Sequence, residues 1–124
     1  LTMKCVPFEK LLAESDFITL HVPFPKGAPP IIGKREFEQM KKGAMIVNTA
    51  RGGAVNENDI LEALNNGKVA AAGLDVFEGE PIMKEEIRKH PRISLSPHIG
   101  GSTMEAQERI GIEIAEKIVA HFNA

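Results

Sequence analysis

The sequence contains no tryptophan and no tyrosine, and Cys5 is its single cysteine. One cysteine cannot form an internal disulfide, so a reducing, cytoplasmic setting is expected. Without tryptophan or tyrosine there is little support for stacking on nucleic-acid bases. The net charge of −2 likewise gives no reason to expect a nucleic acid or a membrane surface as a partner.

Several motifs are also missing from the sequence. No apolar run approaches the roughly 20 residues that span a bilayer, and no signal peptide is visible. Neither a G-x-G-x-x-G turn nor a P-loop occurs. No cluster of cysteine and histidine has zinc spacing, so no metal site is expected. Motif rules alone therefore do not identify a nucleotide.

What is present is a regular alternation of strand-like and helix-like segments. The 124 residues suffice for one domain with a modest core. Apolar, β-rich runs predict strands at residues 17–22, 44–49, 69–76 and 92–96. Helical spacing predicts helices at residues 7–14, 34–42, 56–66 and from 102 onward, with a weak helical turn at 83–89. This alternation predicts an α/β fold: a partial doubly wound, Rossmann-like parallel sheet with helices on both faces.

Capping signals predict where the helices begin and end. Asn56 is expected to cap the third helix at its N-terminus, and Gly43 stands where a C-terminal cap of the second would be. Ser102 and Glu105 have the capping-box spacing. The last helix carries an apolar stripe suited to close packing, formed by Ile110, Ile114, Ile118 and Phe122.

Most residues that could perform chemistry follow the predicted strands. Parallel strands end at one rim of a sheet, and open α/β sheets bind ligands beyond that rim. The rim would hold a cation, Arg51, a carboxylate, Glu80, and an imidazole, His98. The alternatives for the three residues are a solvated loop arginine, a capping glutamate and a histidine bonded to backbone.

Together these residue types suit a 2-hydroxy or 2-keto acid. A carboxylate bonded to one imidazole nitrogen fixes the tautomer of the ring, and the other nitrogen can then exchange a proton at neutral pH. An arginine fork binds a carboxylate at two points. The set therefore predicts acid–base chemistry beside a bound carboxylate.

Three segments resemble the D-isomer-specific 2-hydroxyacid dehydrogenases. They are residues 48–53 (NTARGG), 74–81 (LDVFEGEP) and 96–103 (SPHIGGST), in the order that the family has them. Residues 105–111 (EAQERIG) are most similar to the phosphoglycerate dehydrogenase branch. The resemblance covers essentially the whole chain and is specific for the family, but only moderately so for the substrate.

The resemblance implies a role for each matching residue. Arg51 would bind the substrate carboxylate and keto oxygen, His98 would be the acid–base residue, and Glu80 would be its partner. Hydride would pass between NAD and C2 of a D-2-hydroxy acid, with 3-phosphoglycerate favoured and hydroxypyruvate or glyoxylate next. The positions that would contact NAD are Val22, Pro23, Thr49, Ala50, Arg51, Asp75, His98, Gly100 and Gly101.

The resemblance also indicates which parts of the family pattern are missing. In the family a Gly-rich turn and a ribose-binding acid precede the stretch with which this sequence begins. Residues 1–101 are therefore expected to be the C-terminal half of an NAD-binding domain, and residues 102–124 a helix leading toward a substrate domain. The start at Leu1 also favours a piece of a longer protein, although N-terminal processing could remove a start. Members of the family usually dimerise through this domain, so a homodimer is expected.

A second class of function fits the same residues. Related C-terminal-binding corepressors are largely non-catalytic NAD sensors and keep a similar arginine, glutamate and histidine set. The phosphoglycerate-dehydrogenase-like run at 100–111 favours an enzyme. Formate dehydrogenases have a neutral amide where this sequence has Glu80, so the carboxylate argues against them.

The 124-residue chain by itself is expected to bind NAD weakly and not to turn over. The reason is that the pyrophosphate would lack the helix N-terminus that normally holds it. Isothermal titration calorimetry with NAD should give no saturable heat at micromolar ligand, while a complete family member titrated in parallel binds. Micromolar affinity of this chain would contradict the expectation.

Overall fold

The computed structural model describes residues 3–123. The first two residues of the predicted segment 1–101 and the last residue of the predicted segment 102–124 therefore lie outside the described residues. The elements in chain order are α1 (Phe8–Glu14), β1 (Phe17–Leu20), α2 (Lys34–Gln39), β2 (Ala44–Asn48), α3 (Glu57–Asn65), β3 (Val69–Leu74), α4 (Glu85–Lys89), β4 (Ile93–Leu95) and α5 (Met104–Phe122). The predicted alternation is confirmed, and most boundaries are shortened by one to three residues at their ends. Among residues 3–123, no helix is both long and apolar enough to cross a membrane.

The four strands form one parallel sheet in the order β1-β2-β3-β4. Ile18 lies opposite Ile46 in the first strand pair, and Asn48 lies opposite Leu74 in the second. All four strands therefore end on the same side of the sheet. The prediction that the strand ends share one rim is confirmed.

The helices α1 to α4 pack into a single core with one face of the sheet. Leu12, Phe37, Ile60 and Ile87, one from each of these helices, are at most 3% exposed and belong to one cluster of buried residues. From the sheet that cluster takes alternate residues, including Ile18, Leu20, Ala44, Ile46, Ala72 and Leu74. The burial alternates along β2, as expected for a strand covered on one side.

The expectation of helices on both faces is wrong for this part of the sheet. On the second face Phe17 is 73% exposed, and Met45 and Val47 are each 38% exposed. The cause is the strand order: right-handed crossovers between strands added in one direction place every linking helix on the same side. Covering the second face requires a reversal of direction, which these four strands do not contain.

One of the capping predictions is confirmed and another is wrong. Asn56 caps α3, since its side chain accepts hydrogen bonds from the N–H groups of Asn58 and Asp59. The prediction of Ser102 as a cap is wrong: Thr103 caps α5 by accepting from Ala106 N–H. The helix α2 ends at Gln39, and Gly43 lies beyond it in a turn with a φ of +82°.

The long helix α5 does not pack as its stripe predicts. Among its described residues, 104–122, none is buried. Ile114 is 54% exposed and Phe122 is 81% exposed. The apolar stripe is real, but within the described residues nothing covers it.

Candidate functional site

The turn that carries Arg51 is built by a buried side chain at the end of β2. Asn48 is 2% exposed, and its amide donates to the Arg51 carbonyl at 3.1 Å while its Oδ1 accepts from Ala50 N–H at 3.1 Å. The Asn48 amide therefore closes the turn directly after the strand. The side chain of Arg51 bends back, with Nη1 donating to the Ala50 carbonyl at 2.7 Å.

Gly52 joins this turn to the loop that follows β3. A Cβ at Gly52 would overlap the carbonyl group of Phe77, so no other residue fits without moving one of the two segments. Gly53, with a φ of +87°, is in the left-handed region and faces the ring of Phe24. Gly52 thus allows the Arg51 turn to lie directly on the loop that carries Glu80.

Glu80 and His98 form a close pair. His98 Nδ1 lies 2.7 Å from Glu80 Oε2, and Glu80 Oε1 accepts from Phe77 N–H at 2.8 Å. The hydrogen bond from His98 lowers the pKa of the Glu80 carboxyl, burial opposes the shift, and the Phe77 N–H adds to the lowering. The capping alternative for Glu80 is wrong, because the Phe77 N–H that it binds lies in the loop after β3 and not in a helix.

The alternative of a histidine bonded to backbone does not describe His98, whose Nδ1 faces a carboxylate. His98 has a φ of +56°, in the left-handed region that a side-chain-bearing residue seldom adopts. The strained turn holds the imidazole against Glu80. His98 Nε2 is then the nitrogen left for a reacting group.

Asp75 holds the turn that contains His98. Its Oδ1 accepts from Ser96 Oγ at 2.6 Å and from Ile99 N–H at 3.0 Å, and its Oδ2 accepts from Gly100 N–H at 3.1 Å. Burial would raise the pKa of Asp75, but these hydrogen bonds outweigh burial and the pKa lies below its usual value. Asp75 is 6% exposed, so its carboxylate is mainly a support for the neighbouring loop.

Arg51, Glu80 and His98 line one open cleft of about 580 Å³. The three residues come from the segments after β2, β3 and β4, as predicted for the rim. Phe24 and Lys26 line the same cleft from the loop after β1. A cation, a carboxylate and an imidazole on the wall of one cleft can bind an anionic substrate and transfer a proton to it.

A second open cleft of about 610 Å³ adjoins the first, because Arg51 and Phe24 line both. Of the predicted cofactor contacts, Val22, Pro23, Thr49, Ala50 and Arg51 line it. Asp75, Gly100 and Gly101 line neither cleft, and they lie under and beside the His98 turn. A further cavity of about 350 Å³ lies between α2 and α3, away from these residues.

Two contributions to the site were not predicted from the sequence. Phe24 and Lys26 lie in a loop rich in proline and glycine. The aromatic ring of Phe24 among such residues is the sequence feature that could have indicated a role for this loop in the site. His21 bridges two hydroxyl groups at the rim, with Nε2 at 2.9 Å from Thr19 Oγ1 and Nδ1 at 3.1 Å from Thr49 Oγ1. Nothing in the spacing of these residues indicates that cross-strand contact.

The fold and the rim define a Rossmann-like α/β domain with a paired glutamate and histidine at the carboxyl ends of its strands. Residues 1–100 match the family described as D-isomer specific 2-hydroxyacid dehydrogenase, NAD binding domain. The chain therefore belongs to that family, and the resemblance stated from the sequence is confirmed.

Three relatives illustrate the similarity. The chain is 50% identical over 118 residues to D-3-phosphoglycerate dehydrogenase of Archaeoglobus fulgidus, covering 94% of this chain and 22% of that protein. It is 49% identical over 121 residues to hydroxypyruvate reductase of Thermotoga maritima, covering 95% and 40%. The crystal structure of a glyoxylate reductase from Paecilomyes thermophila superposes with a TM-score of 0.80 at 43% identity, covering 86% of this chain and 33% of that one. The chain thus spans between about a fifth and two fifths of the length of these relatives.

Replacing Asp75 by asparagine should destabilise the chain in a pH-dependent way. Asparagine keeps one acceptor oxygen and loses the charge, and a hydrogen bond to a charged group contributes roughly 1.5–3 kcal/mol. Urea unfolding near neutral pH should therefore show a loss of about 1–3 kcal/mol. Because the folded pKa is lowered, the wild-type advantage is full above the ordinary aspartate pKa of about 3.9 and is lost as the pH falls through the folded pKa.

The matched control for this measurement is Asp16→Asn. The side chain of Asp16 is 70% exposed and pairs with Lys41, so its replacement should change stability by less than about 0.5 kcal/mol. An Asp75→Asn deficit of equal size near pH 7 and near pH 3 would contradict the linkage.

Proposed function

We propose that this chain is part of an NAD-dependent D-2-hydroxyacid dehydrogenase, with 3-phosphoglycerate as the favoured substrate and 3-phosphohydroxypyruvate as its product. The observation that carries the proposal is the Glu80–His98 pair, 2.7 Å apart, in the cleft that Arg51 also lines. The 50% identity to a D-3-phosphoglycerate dehydrogenase supports the substrate. The names of the other relatives support hydroxypyruvate or glyoxylate as the alternative.

In this proposal Arg51, Glu80 and His98 each have a separate role in the reaction. Arg51 binds the carboxylate of the substrate through its guanidinium and orients the carbon that reacts. Glu80 accepts from His98 Nδ1 and thereby directs Nε2 at the substrate oxygen. During reduction His98 gives its Nε2 proton to the keto oxygen, which becomes the hydroxyl; during oxidation it takes that proton back.

The residues present fit one side of an NAD site. NAD supplies or accepts the hydride when it is bound. Val22, Pro23, Thr49 and Ala50 would line its adenosine and nicotinamide sides, since they face the cleft that adjoins Arg51. Asp75, Gly100 and Gly101 would support the nicotinamide end, where Asp75 accepts from Gly100 N–H.

We also propose the domain arrangement that the resemblance implies. Residues 1–101 would be the C-terminal half of the NAD-binding domain and residues 102–124 the helix leading to the substrate domain. The exposed second face of the sheet supports the first part, because Phe17 and Val47 would be buried by the other half. The exposed stripe of α5 supports contact with another domain or a second subunit, consistent with a homodimer.

In the enzyme with its complete domains, His98→Ala should lower kcat by roughly 10²–10⁴-fold, the usual contribution of general acid–base catalysis. Glu80→Gln should lower kcat less and change its pH profile, whereas Arg51→Ala should mainly raise KM for the keto acid. Initial rates of NADH oxidation measure all three. His90→Ala is the control, since His90 follows α4 and contacts Asn65. Wild-type turnover in His98→Ala would exclude the proposed role.

The substrate is chosen by comparing kcat/KM for 3-phosphohydroxypyruvate, hydroxypyruvate and glyoxylate with the same enzyme. The proposal expects the phosphorylated keto acid to give the highest value by at least about tenfold, which corresponds to about 1.4 kcal/mol. A higher value for hydroxypyruvate or glyoxylate would replace the substrate but keep the reaction class. NADH binding without turnover of any keto acid would favour the NAD-sensing, corepressor-like alternative.

A further inference from the structure

A buried carboxylate at the start of α3 faces the loop that carries Glu80. Glu57 is 4% exposed, and its Oε1 accepts from Glu78 N–H at 2.7 Å. In return Glu78 Oε1 accepts from Glu57 N–H at 3.2 Å. Two glutamates of distant segments therefore bind each other's backbone, and each satisfies one N–H group of the other.

Lys84 completes this contact from the far end of the same loop. Its Nζ lies 3.4 Å from Glu57 Oε2 and 3.4 Å from Glu78 Oε2, and it donates to Asn58 Oδ1 at 3.2 Å. Glu57 Oε2 makes no hydrogen bond within the described residues, so the ammonium of Lys84 is what balances it. We name Glu57, Glu78 and Lys84 the carboxylate clamp.

The carboxylate clamp holds the loop between residue 76 and residue 84 on both sides of Glu80. Glu78 precedes Glu80 by two residues and Lys84 follows it by four. The next residue back, Phe77, donates its N–H to Glu80 Oε1 at 2.8 Å and places its carbonyl against Gly52. A shift of Glu78 would therefore move Phe77, and with it the carboxylate that faces His98.

The buried carboxylate of Glu57 is unusual for a contact that only stabilises the fold. Burial raises the pKa of Glu57, while the Glu78 N–H and Lys84 act in the opposite direction. A buried ionised group is costly to desolvate, and an apolar side chain of similar size often stabilises a protein as well or better. An apolar side chain has no acceptor atoms, so it cannot hold the Glu78 N–H and the Lys84 ammonium in fixed positions.

We propose that Glu57 is a positioning residue that acts through the 76–84 loop to hold the carboxylate of Glu80 against Nδ1 of His98. The inference deepens the proposed function, since it matters for catalysis only if the Glu80–His98 pair is the acid–base pair. The predicted position of Glu80 can be tested without catalysis, because it affects which His98 nitrogen carries the proton.

The tautomer of His98 tests the proposal on the 124-residue chain without NAD or substrate. Long-range ¹H–¹⁵N spectra at a pH where the ring is neutral distinguish Nδ1–H from Nε2–H. In the wild type, Glu80 should keep Nδ1–H as the main form. In Glu57→Ala the Nδ1–H signal should lose its dominance, because Glu80 is no longer held at hydrogen-bond distance.

Three comparisons separate positioning from general destabilisation. The conservative variant Glu57→Gln keeps an oxygen for the Glu78 N–H and should retain most of the Nδ1–H form. The matched control is Glu62→Gln, a carboxylate on the same helix whose side chain is 56% exposed and pairs with Lys34. It should leave the His98 spectrum unchanged. In a Glu80→Ala background, Glu57→Ala should add no further change, since the effect passes through Glu80.

If Glu57→Ala does not fold, as judged by its amide spectrum, Lys84→Met carries the same test. Without the ammonium of Lys84, the carboxylates of Glu57 and Glu78 face each other, and the Nδ1–H form of His98 should decrease as it does in Glu57→Ala. An unchanged His98 tautomer in a folded Glu57→Ala chain, or in Lys84→Met, would overturn the proposal. So would an equal change in Glu62→Gln. Failure of the catalytic role of His98 would appear only in turnover and would leave these spectra as expected.

Discussion

The order in which the strands are added governs most of this structure. Four parallel strands follow one another across the sheet in chain order, and right-handed crossovers then place the linking helices on one face. Because the strands are also parallel, they all end at one rim, where the loops after β2, β3 and β4 carry Arg51, Glu80 and His98. The order of the strands therefore produces the single-sided core, and their parallel direction brings the site residues to one rim.

The rim loops depend on polar contacts that lie behind the cleft. Asn48 closes the Arg51 turn, and Asp75 holds the turn of His98. The middle loop rests on Gly52 and on the carboxylate clamp. Such supports cost desolvation, but they fix the positions of the side chains that line the cleft.

The uncovered surfaces are consistent with membership in a family whose members are longer than this chain. Phe17 is 73% exposed on the second face of the sheet, and Phe122 is 81% exposed on α5. Both belong to regular apolar patterns, an alternating strand and a helical stripe. The exposed stripe of α5 shows that periodicity identifies the apolar face of an element, not the partner that covers it.

The sequence by itself determined the elements, their order, the shared rim and the family, because these follow from periodicity, capping residues and short motifs that are local in the chain. It also identified Arg51, Glu80 and His98 as a set. Tertiary structure alone decided the contacts between distant segments. Examples are the Glu80–His98 distance, the close approach of Gly52 to Phe77, and the exchange of hydrogen bonds between Glu57 and Glu78. Those contacts depend on how the loops pack after the sheet has formed, and no spacing within a single segment encodes them.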